Sequence, residues 1–281
     1  MRALVTGAGG QLGREIVRAW SAAGEQVVAL DRAALDVSRR HDVRAAIGNY
    51  APHVVVNAAA YTAVDACEDD AEPAWAVNAG GAANLALACD HVGALLVHVS
   101  TDYVFDGTAD RAYTEFDRAN PQSAYGQTKE AGEQLVRQHC PNHQIVRTAW
   151  LHGVGGANFV TTMLRLARER GAASVVTDQV GSPTFAFDLA PALRQLVDSG
   201  LTGTFHLVNT GFASWYDVAE AAFAEAGLDV ELTPTESAAF ARPAPRPANS
   251  RLEGRHAALA GVNPLPSWHE SLVRFVREVT A

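Results

Sequence analysis

The sequence predicts an α/β fold on a doubly wound parallel sheet, with a smaller second region towards the C-terminus. Three observations predict it. Short apolar runs alternate with amphipathic segments through the first 150 residues, a glycine-rich turn joins the first run to the first amphipathic segment, and the alternation loosens after Trp150. Strands that alternate with helices are joined by right-handed crossovers and therefore lie parallel. The expected division is 1–150 for the sheet domain, with later segments returning to it, and 151–281 for the second region.

Arg2 to Thr6 is a short apolar run closed by glycines and reads as a buried strand. Leu12, Ile16, Ala19 and Trp20 recur at helical spacing up to Gly24, a natural stop. Gln26 to Leu30 and Val54 to Asn57 read as the second and third strands, and Ala74 to Cys89 as a helix. Ala94 to Ser100 is a fourth strand, Ser123 to His139 a helix and Gln144 to Thr148 a fifth strand. Beyond Trp150, helices are expected over Phe159–Arg170, Phe187–Asp198, Trp215–Ala226 and Ser267–Val279, with strands at Ser174–Thr177 and Thr204–Val208. Pro234 to Pro247 is proline-rich and irregular. It reads equally as a flexible linker or as an ordered loop whose Arg242 and Arg246, stiffened by prolines, clamp an anion.

Composition narrows the function classes. The chain has 281 residues, 48% hydrophobic and 19% charged, which is ordinary for a globular protein with a substantial core. A net charge of −9 without a Lys/Arg cluster argues against a nucleic-acid partner. No apolar run is long enough for a bilayer, and no signal peptide is seen, so neither a membrane partner nor export is expected. Three cysteines, Cys67, Cys89 and Cys140, lack CxxC spacing, as expected for reduced thiols in a cytoplasmic protein without a zinc site. The histidines show no metal-ligand spacing either.

The turn Thr6-Gly7-Ala8-Gly9-Gly10-Gln11-Leu12-Gly13 follows the first strand and opens the first helix. Glycines there allow a tight turn and close approach of backbone to a pyrophosphate, and the helix N-terminus supplies free N–H groups. The sheet is thus expected to be a Rossmann-type dinucleotide site. Asp31 ends the second strand, where an acid binds the adenosine ribose 2′-hydroxyl; Arg32 beside it suits a 2′-phosphate instead, so this pair alone leaves NAD and NADP open. Tyr125 and Lys129 lie four residues apart, on one face of a helix. An ammonium beside a phenol favours the phenolate, so Lys129 is expected to lower the Tyr125 pKa and make it an acid–base group.

The TGxxGxxG turn, the Asn57-Ala58-Ala59-Ala60 segment and Tyr125-x-x-x-Lys129 together resemble the extended short-chain dehydrogenase/reductase superfamily. Further segments are Gly10-Gln11-Leu12-Gly13, Ala59-Ala60-Tyr61-Thr62-Ala63-Val64-Asp65 and Ser100-Thr101-Asp102-Tyr103-Val104-Phe105-Asp106-Gly107. Later come Asp178-Gln179-x-Gly181-x-Pro183-Thr184 and Arg242-Pro243-x-x-Arg246-Pro247. This set resembles the dTDP-4-dehydrorhamnose reductase family over nearly the whole chain.

The resemblance implies hydride transfer from NADPH, or NADH, to the C4 ketone of a dTDP-4-keto-6-deoxy sugar, as in dTDP-rhamnose biosynthesis. It implies Tyr125 as proton donor, Lys129 as its tuner and ribose ligand, Thr101 as the hydroxyl on the carbonyl oxygen, and Asp102 as an additional acid. Gly7, Gly10, Gln11, Leu12 and Gly13 would meet the pyrophosphate, Asp31 or Arg32 the adenosine ribose, and Asp36 and Val37 the adenine. Ala58, Ala59, Ala60 and Thr62 would line the cofactor, with Tyr125 and Lys129 at the nicotinamide end. Thr101, Asp102, Tyr103, Tyr125, Trp150, Asn158 and Arg246 would face the substrate, Arg246 at the diphosphate.

Two departures from the family stand out. His152 replaces a frequent tyrosine. Some relatives form homodimers bridged by magnesium on glutamates; Glu15 is present here, but the later acidic patch is reduced to Phe187-Asp188, so a metal bridge is not expected while a homodimer stays open. Dehydratases of the superfamily carry Asp-Glu after the threonine, and Asp102-Tyr103 lacks that glutamate. Another 4-ketoreductase, an epimerase, or a non-catalytic subunit resembling the regulatory subunit of methionine adenosyltransferase are the alternatives.

Overall fold

The computed structural model describes residues 1–240 and 242–281. Six strands form one parallel sheet: β1 (Arg2–Thr6), β2 (Gln26–Leu30), β3 (Val54–Asn57), β4 (Leu95–Thr101), β5 (His143–Thr148) and β6 (Gly203–His206). Their order is β6-β5-β4-β3-β1-β2, so the winding reverses between β1 and β3. Ligands of open α/β sheets bind at the carboxyl ends of strands beside such a reversal. The glycine turn leaves β1 at that end.

The strands are apolar on both sides because both faces are covered. Ala3, Val5, Val54, Val56, Val97, Val146 and Phe205 face one core. Leu4, Val55, Leu96 and Ile145 face the other. Helix α1 (Gln11–Ala22) covers the first face with Leu12, Ile16 and Trp20, one helical turn apart. Trp20 also donates its indole N–H to the Ala190 carbonyl at 2.9 Å, across to the helix at Ala186–Ser199. The second face carries α2 (Arg40–Tyr50), α3 (Ala82–Val92) and α4 (Ala124–His139). Helix α2 was not anticipated, because only Val43 and Ile47 of its residues are buried and its apolar stripe is correspondingly thin.

The helix expected over Ala74–Cys89 is not continuous α-helix. Trp75–Gly81 has π-helical geometry, between a short turn at Glu72–Ala74 and α3. Such widened turns interrupt the regular ladder and re-aim a side chain. Here the side chain is Asn78, and its backbone carbonyl presses against Gly132 of α4, where a Cβ would collide with it. Periodicity does not show this, because the residues on either side still fit helical spacing.

Beyond Trp150 a third core gathers Val160, Leu164, Phe185, Val218, Phe223, Leu272 and Phe275. The expected helices appear as Phe159–Arg170, Ala186–Ser199, Trp215–Glu225 and Trp268–Thr280. Val180–Gly181 lies between Ala213–Ser214, antiparallel, and Asn249–Ser250, parallel. The proline-rich stretch is ordered where described: Glu231–Thr235 pairs with Ala172–Val176, Ala244 is buried, and Pro247 sits so close to Gly107 that a Cβ there would lie 2.5 Å from it. The linker alternative is therefore set aside.

Replacing Gly132 with alanine would push α4 away from the π turn. Overpacking of this kind costs about 1–3 kcal/mol, and we expect a lower thermal midpoint for Gly132→Ala together with reduced turnover. An unchanged midpoint would show that α4 can slide without loss.

Candidate active site

The glycine turn is shaped for close approach. Gly7 has φ +67°, and a Cβ on it would lie 2.6 Å from the Ala58 carbonyl carbon. A Cβ on Gly13 would meet the Gly7 carbonyl oxygen. The turn is pinned to the neighbouring strand by the Ala8 N–H donating to the Leu30 carbonyl at 3.1 Å. Leu12 points into the core, so at this end only its backbone can meet a ligand. Asn57 holds three strands together: its Oδ1 accepts from Thr6 Oγ1 at 2.8 Å and from the Ala59 N–H at 3.2 Å, and its amide nitrogen meets His98 Nδ1 at 3.0 Å. Ala58, Ala59 and Ala60 follow directly, half-buried or exposed along the same edge. The cradle fits a dinucleotide pyrophosphate, because its glycines let the turn pack this tightly and the N-terminus of α1 opens at Gly10 with no side-chain cap on its N–H groups.

Gln11, expected at the pyrophosphate, bonds within the chain through its side chain. Its Oε1 accepts from the Gly153 N–H at 2.7 Å and from Asn158 Nδ2 at 3.1 Å, and its amide donates to the Ala157 carbonyl at 3.3 Å. It ties the turn to the loop before the Phe159–Arg170 helix. Asn158 caps that helix, accepting from the Thr161 N–H at 3.0 Å, while its Nδ2 also reaches the Gly153 carbonyl at 3.1 Å. Both sides of the Asn158 amide are engaged within the chain, so Asn158, expected at the substrate, also serves as a cap that holds this loop.

At the adenosine end, Asp31 and Arg32 are both exposed. Asp31 Oδ1 accepts from the Ala34 N–H at 2.9 Å, which closes the turn after β2. Asp36 accepts from the Ser38 hydroxyl at 2.7 Å and its N–H at 3.0 Å, and these bonds hold its carboxyl below the usual range. Val37 beside it is buried.

Thr101, Asp102, Tyr103 and Tyr125, all expected in the active site, converge at the end of β4. Thr101 and Asp102 are buried, and Thr101 Oγ1 donates to Asp102 Oδ1 at 2.9 Å. Thr101 also caps the short 3₁₀ turn at Asp102–Val104, accepting from the Tyr103 N–H at 3.3 Å. It thus combines the cap and the active-site position. Tyr125 is buried on the first turn of α4, whose cap, Ser123, accepts from the Gly126 N–H at 3.1 Å. The Tyr103 and Tyr125 rings meet edge to face at 5.5 Å.

Lys129 is buried one turn further along, and its Nζ donates to the Val99 carbonyl at 2.7 Å. Burial pushes its pKa down to about 8, while Glu133 pulls the other way. The lysine does not lower the tyrosine as anticipated: burial and then the Asp102 charge push the Tyr125 phenol up, against a smaller lowering by the Thr101 hydroxyl. Desolvation of the phenolate is the largest effect here. The phenol, protonated at neutral pH even at its ordinary value, is moved still further from ionising.

Burial also raises Asp102 to about 6. Asp102 Oδ2 and Ser250 Oγ each lack a hydrogen bond of good geometry, yet Ser250 is close enough to favour the carboxylate. Sequence reading passed over Ser250, which a short strand delivers from far along the chain. It also passed over Asn78, whose Oδ1 accepts from the Tyr61 N–H at 2.9 Å and whose Nδ2 donates to the Tyr61 carbonyl at 3.1 Å and Thr128 Oγ1 at 3.0 Å. Thr128 in turn donates to the Tyr125 carbonyl at 2.8 Å. A lone asparagine between glycine-flanked apolar residues was the only signal available for Asn78.

On the far side, Trp150 adopts φ +47°, a left-handed conformation rare for a bulky residue. Its ring stacks on Trp215 at 3.5 Å and lies over Gly181, where a Cβ would strike it. Arg246 is mostly buried and pairs with Asp65 at 2.9 Å.

The whole chain, residues 1–281, matches the family described as RmlD substrate binding domain. It belongs to that family. A relative from Mycolicibacterium smegmatis, named dTDP-4-dehydrorhamnose reductase, is 47% identical over 276 residues, covering 96% of this chain and 84% of the relative. The crystal structure of a dTDP-4-dehydrorhamnose reductase from Clostridium acetobutylicum superposes with a TM-score of 0.97 at 44% identity, covering 100% of both chains. That of the Bacillus anthracis enzyme, in complex with NADP, superposes with a TM-score of 0.96 at 40% identity, covering 99% of both.

Within this RmlD-family chain, His152 is a core histidine. It packs at 5.3 Å from Phe185, and burial pushes its pKa down to about 4. Glu15 pairs with Arg18 at 2.7 Å. Asp188 is held by Ser271, by Asn209 at 2.9 Å and by Arg274 at 3.0 Å. Both acids therefore have partners within the chain. No cluster of three or more metal-ligating side chains occurs among the described residues.

Asp102 provides a pH test. A folded-state pKa near 6 against an ordinary 3.8 means that the folded chain holds this proton more tightly. Stability is then lost as pH rises from about 4 through 6, by on the order of 3 kcal/mol. Asp102→Asn should unfold at a higher temperature than the parent at pH 8, with the gain vanishing near pH 4, while turnover falls. Equal midpoints at pH 8 would mean that Asp102 is not penalised by burial.

Proposed function

We propose that this chain reduces the C4 ketone of dTDP-4-dehydro-L-rhamnose to dTDP-L-rhamnose, with NADPH as the preferred donor. Membership of the reductase family supports the reaction. The observation that carries the chemistry is the buried Tyr125 phenol, kept protonated beside Thr101 and Asp102 at the strand end next to the glycine turn.

The bound dinucleotide supplies the hydride. The backbone of Gly7 and Gly10–Gly13 would hold its pyrophosphate, Ala58–Ala60 and Thr62 its flank, and Lys129 the nicotinamide ribose. Arg32 would meet a 2′-phosphate, a role favoured by the engagement of one Asp31 oxygen in its own turn. Asp36 and Val37 would border the adenine. As negative charge develops on the C4 oxygen, Thr101 turns its hydroxyl from Asp102 to that oxygen, and Tyr125 delivers the proton. Lys129, charged below about pH 8, stabilises the tyrosinate left behind. Trp150 and Tyr103 would form walls of the sugar pocket, and Arg246 would pair with the diphosphate. No helix among the described residues is long and apolar enough to cross a membrane. The three buried free cysteines suit a reducing, cytoplasmic setting.

The test is NADPH oxidation with a panel of dTDP-4-keto-6-deoxy sugars. Tyr125→Phe should reduce kcat by roughly 10²–10⁴-fold, the usual worth of a positioned acid, with little change in cofactor affinity. Wild-type turnover no greater than that of Tyr125→Phe would end the enzyme reading. In wild type, kcat/KM should fall as pH rises through about 8, where Lys129 loses its proton. Lys129→Met should be slow at all pH values and lack that limb. The same limb persisting in the variant would assign it to another group.

A further inference from the structure

Asp65 closes the Ala59-Ala60-Tyr61-Thr62-Ala63-Val64-Asp65 segment after β3, and the mechanism leaves it without a task. It lies 181 positions from Arg246 in the chain, yet it accepts from Arg246 Nη2 at 2.9 Å. The same oxygen, Oδ2, is 3.5 Å from Arg242 Nη1. Its other oxygen, Oδ1, accepts from the Ala244 N–H at 3.3 Å. One carboxylate therefore meets both arginines of the Arg242-Pro243-x-x-Arg246-Pro247 loop and the backbone between them. The cluster borders the reacting groups, because the charges of Arg246, Asp65 and Arg242 all act on the Tyr103 phenol, which touches Tyr125.

We propose that Asp65 is a positioning residue that presets Arg246 for the substrate diphosphate. This rests on the reading of Arg246 given under Proposed function. A guanidinium has five N–H donors. In Arg246 one is directed to Asp65 and one to the Ala244 carbonyl at 3.1 Å, which leaves three for an anion. Two arginines and one carboxylate retain a net positive charge, so the clamp still attracts a diphosphate. A long, mobile side chain is held in one geometry before the substrate arrives, and that removes an ordering cost from binding. Burial alone would raise the Asp65 pKa, but Arg246, the Ala244 amide and Arg242 outweigh it and hold the carboxyl below its usual range. The anchor is accordingly charged throughout the neutral range.

Asp65→Asn is the informative substitution. The amide oxygen can still accept from Ala244, so the loop keeps its backbone bond, whereas the charge that orients Arg246 is lost. With NADPH and the dTDP-4-keto-6-deoxy sugar, KM should rise roughly tenfold, the worth of a charge-assisted hydrogen bond. The dissociation constant of dTDP alone, measured by calorimetry, should rise in parallel. The parameters kcat and NADPH affinity should stay within about twofold of wild type, which a general loosening of the site would not allow. In an Arg246→Ala background the same change should add little, because its effect passes through Arg246.

Unchanged or tighter dTDP binding by Asp65→Asn overturns the proposal, as does an undiminished effect in the Arg246→Ala background. The two readings fail separately. If Arg246→Ala itself leaves KM and dTDP affinity unaltered, the diphosphate assignment of Arg246 fails. If Arg246→Ala weakens both while Asp65→Asn weakens neither, only the role of Asp65 fails.

Discussion

Burying an ammonium next to a sheet is the constraint on which this site depends. Lys129 is 2% exposed, and an isolated charge at that depth would give up its proton. It is retained by the Val99 carbonyl and by the field of Glu133, one turn along the same helix. Glu133 would itself be raised by burial, but Arg147 and Arg137 hold it charged at about 2. Arg147 binds it through Nε at 2.9 Å and Nη2 at 2.7 Å, and Arg137 at 2.6 Å. An ion pair of this depth contributes little net stability, yet losing one partner is costly. Its consequence here is a lysine poised near neutrality in a fixed place.

The same helix must carry Tyr125 close to β4, and that requires α4 to approach the Trp75–Gly81 turn. Gly132 permits the approach, and Asn78 converts it into hydrogen bonds that reach both the Tyr61 backbone and the first turn of α4. The Tyr61 backbone and the first turn of α4 are thereby held in one register. The third core is tied in at two points. Gln11 links the glycine turn to the loop at 153–158, and Asp65 links the segment after β3 to the arginine loop. Each uses one polar side chain from the nucleotide side to fix a loop that would meet substrate.

Much of the fold was legible because its signals are local. The runs at Arg2–Thr6, Gln26–Leu30 and Val54–Asn57 are strands over those very residues, since buried parallel strands must be apolar on both faces. Helix α2 escaped notice because Val43 and Ile47 alone carry its stripe, and the π turn because spacing cannot distinguish one widened turn. The ties that Gln11 and Asn158 make within the chain escaped notice for a related reason. Motif position names a neighbourhood, and the partners that occupy an amide come from loops more than 140 positions away.

The sequence by itself determined the alternation of strands and helices, the glycine turn and the pairing of Tyr125 with Lys129, because each is written within a few neighbouring residues. The tertiary structure alone decided the direction in which the pKa of each member of that pair moves. Burial beside Asp102 raises the phenol and burial beside Val99 lowers the lysine, and desolvation depends on what surrounds a group in space, which no spacing along the chain encodes. It likewise decided that the arginines of the proline-rich stretch are held in place, since the carboxylate that pairs with them comes from 181 positions away in the chain.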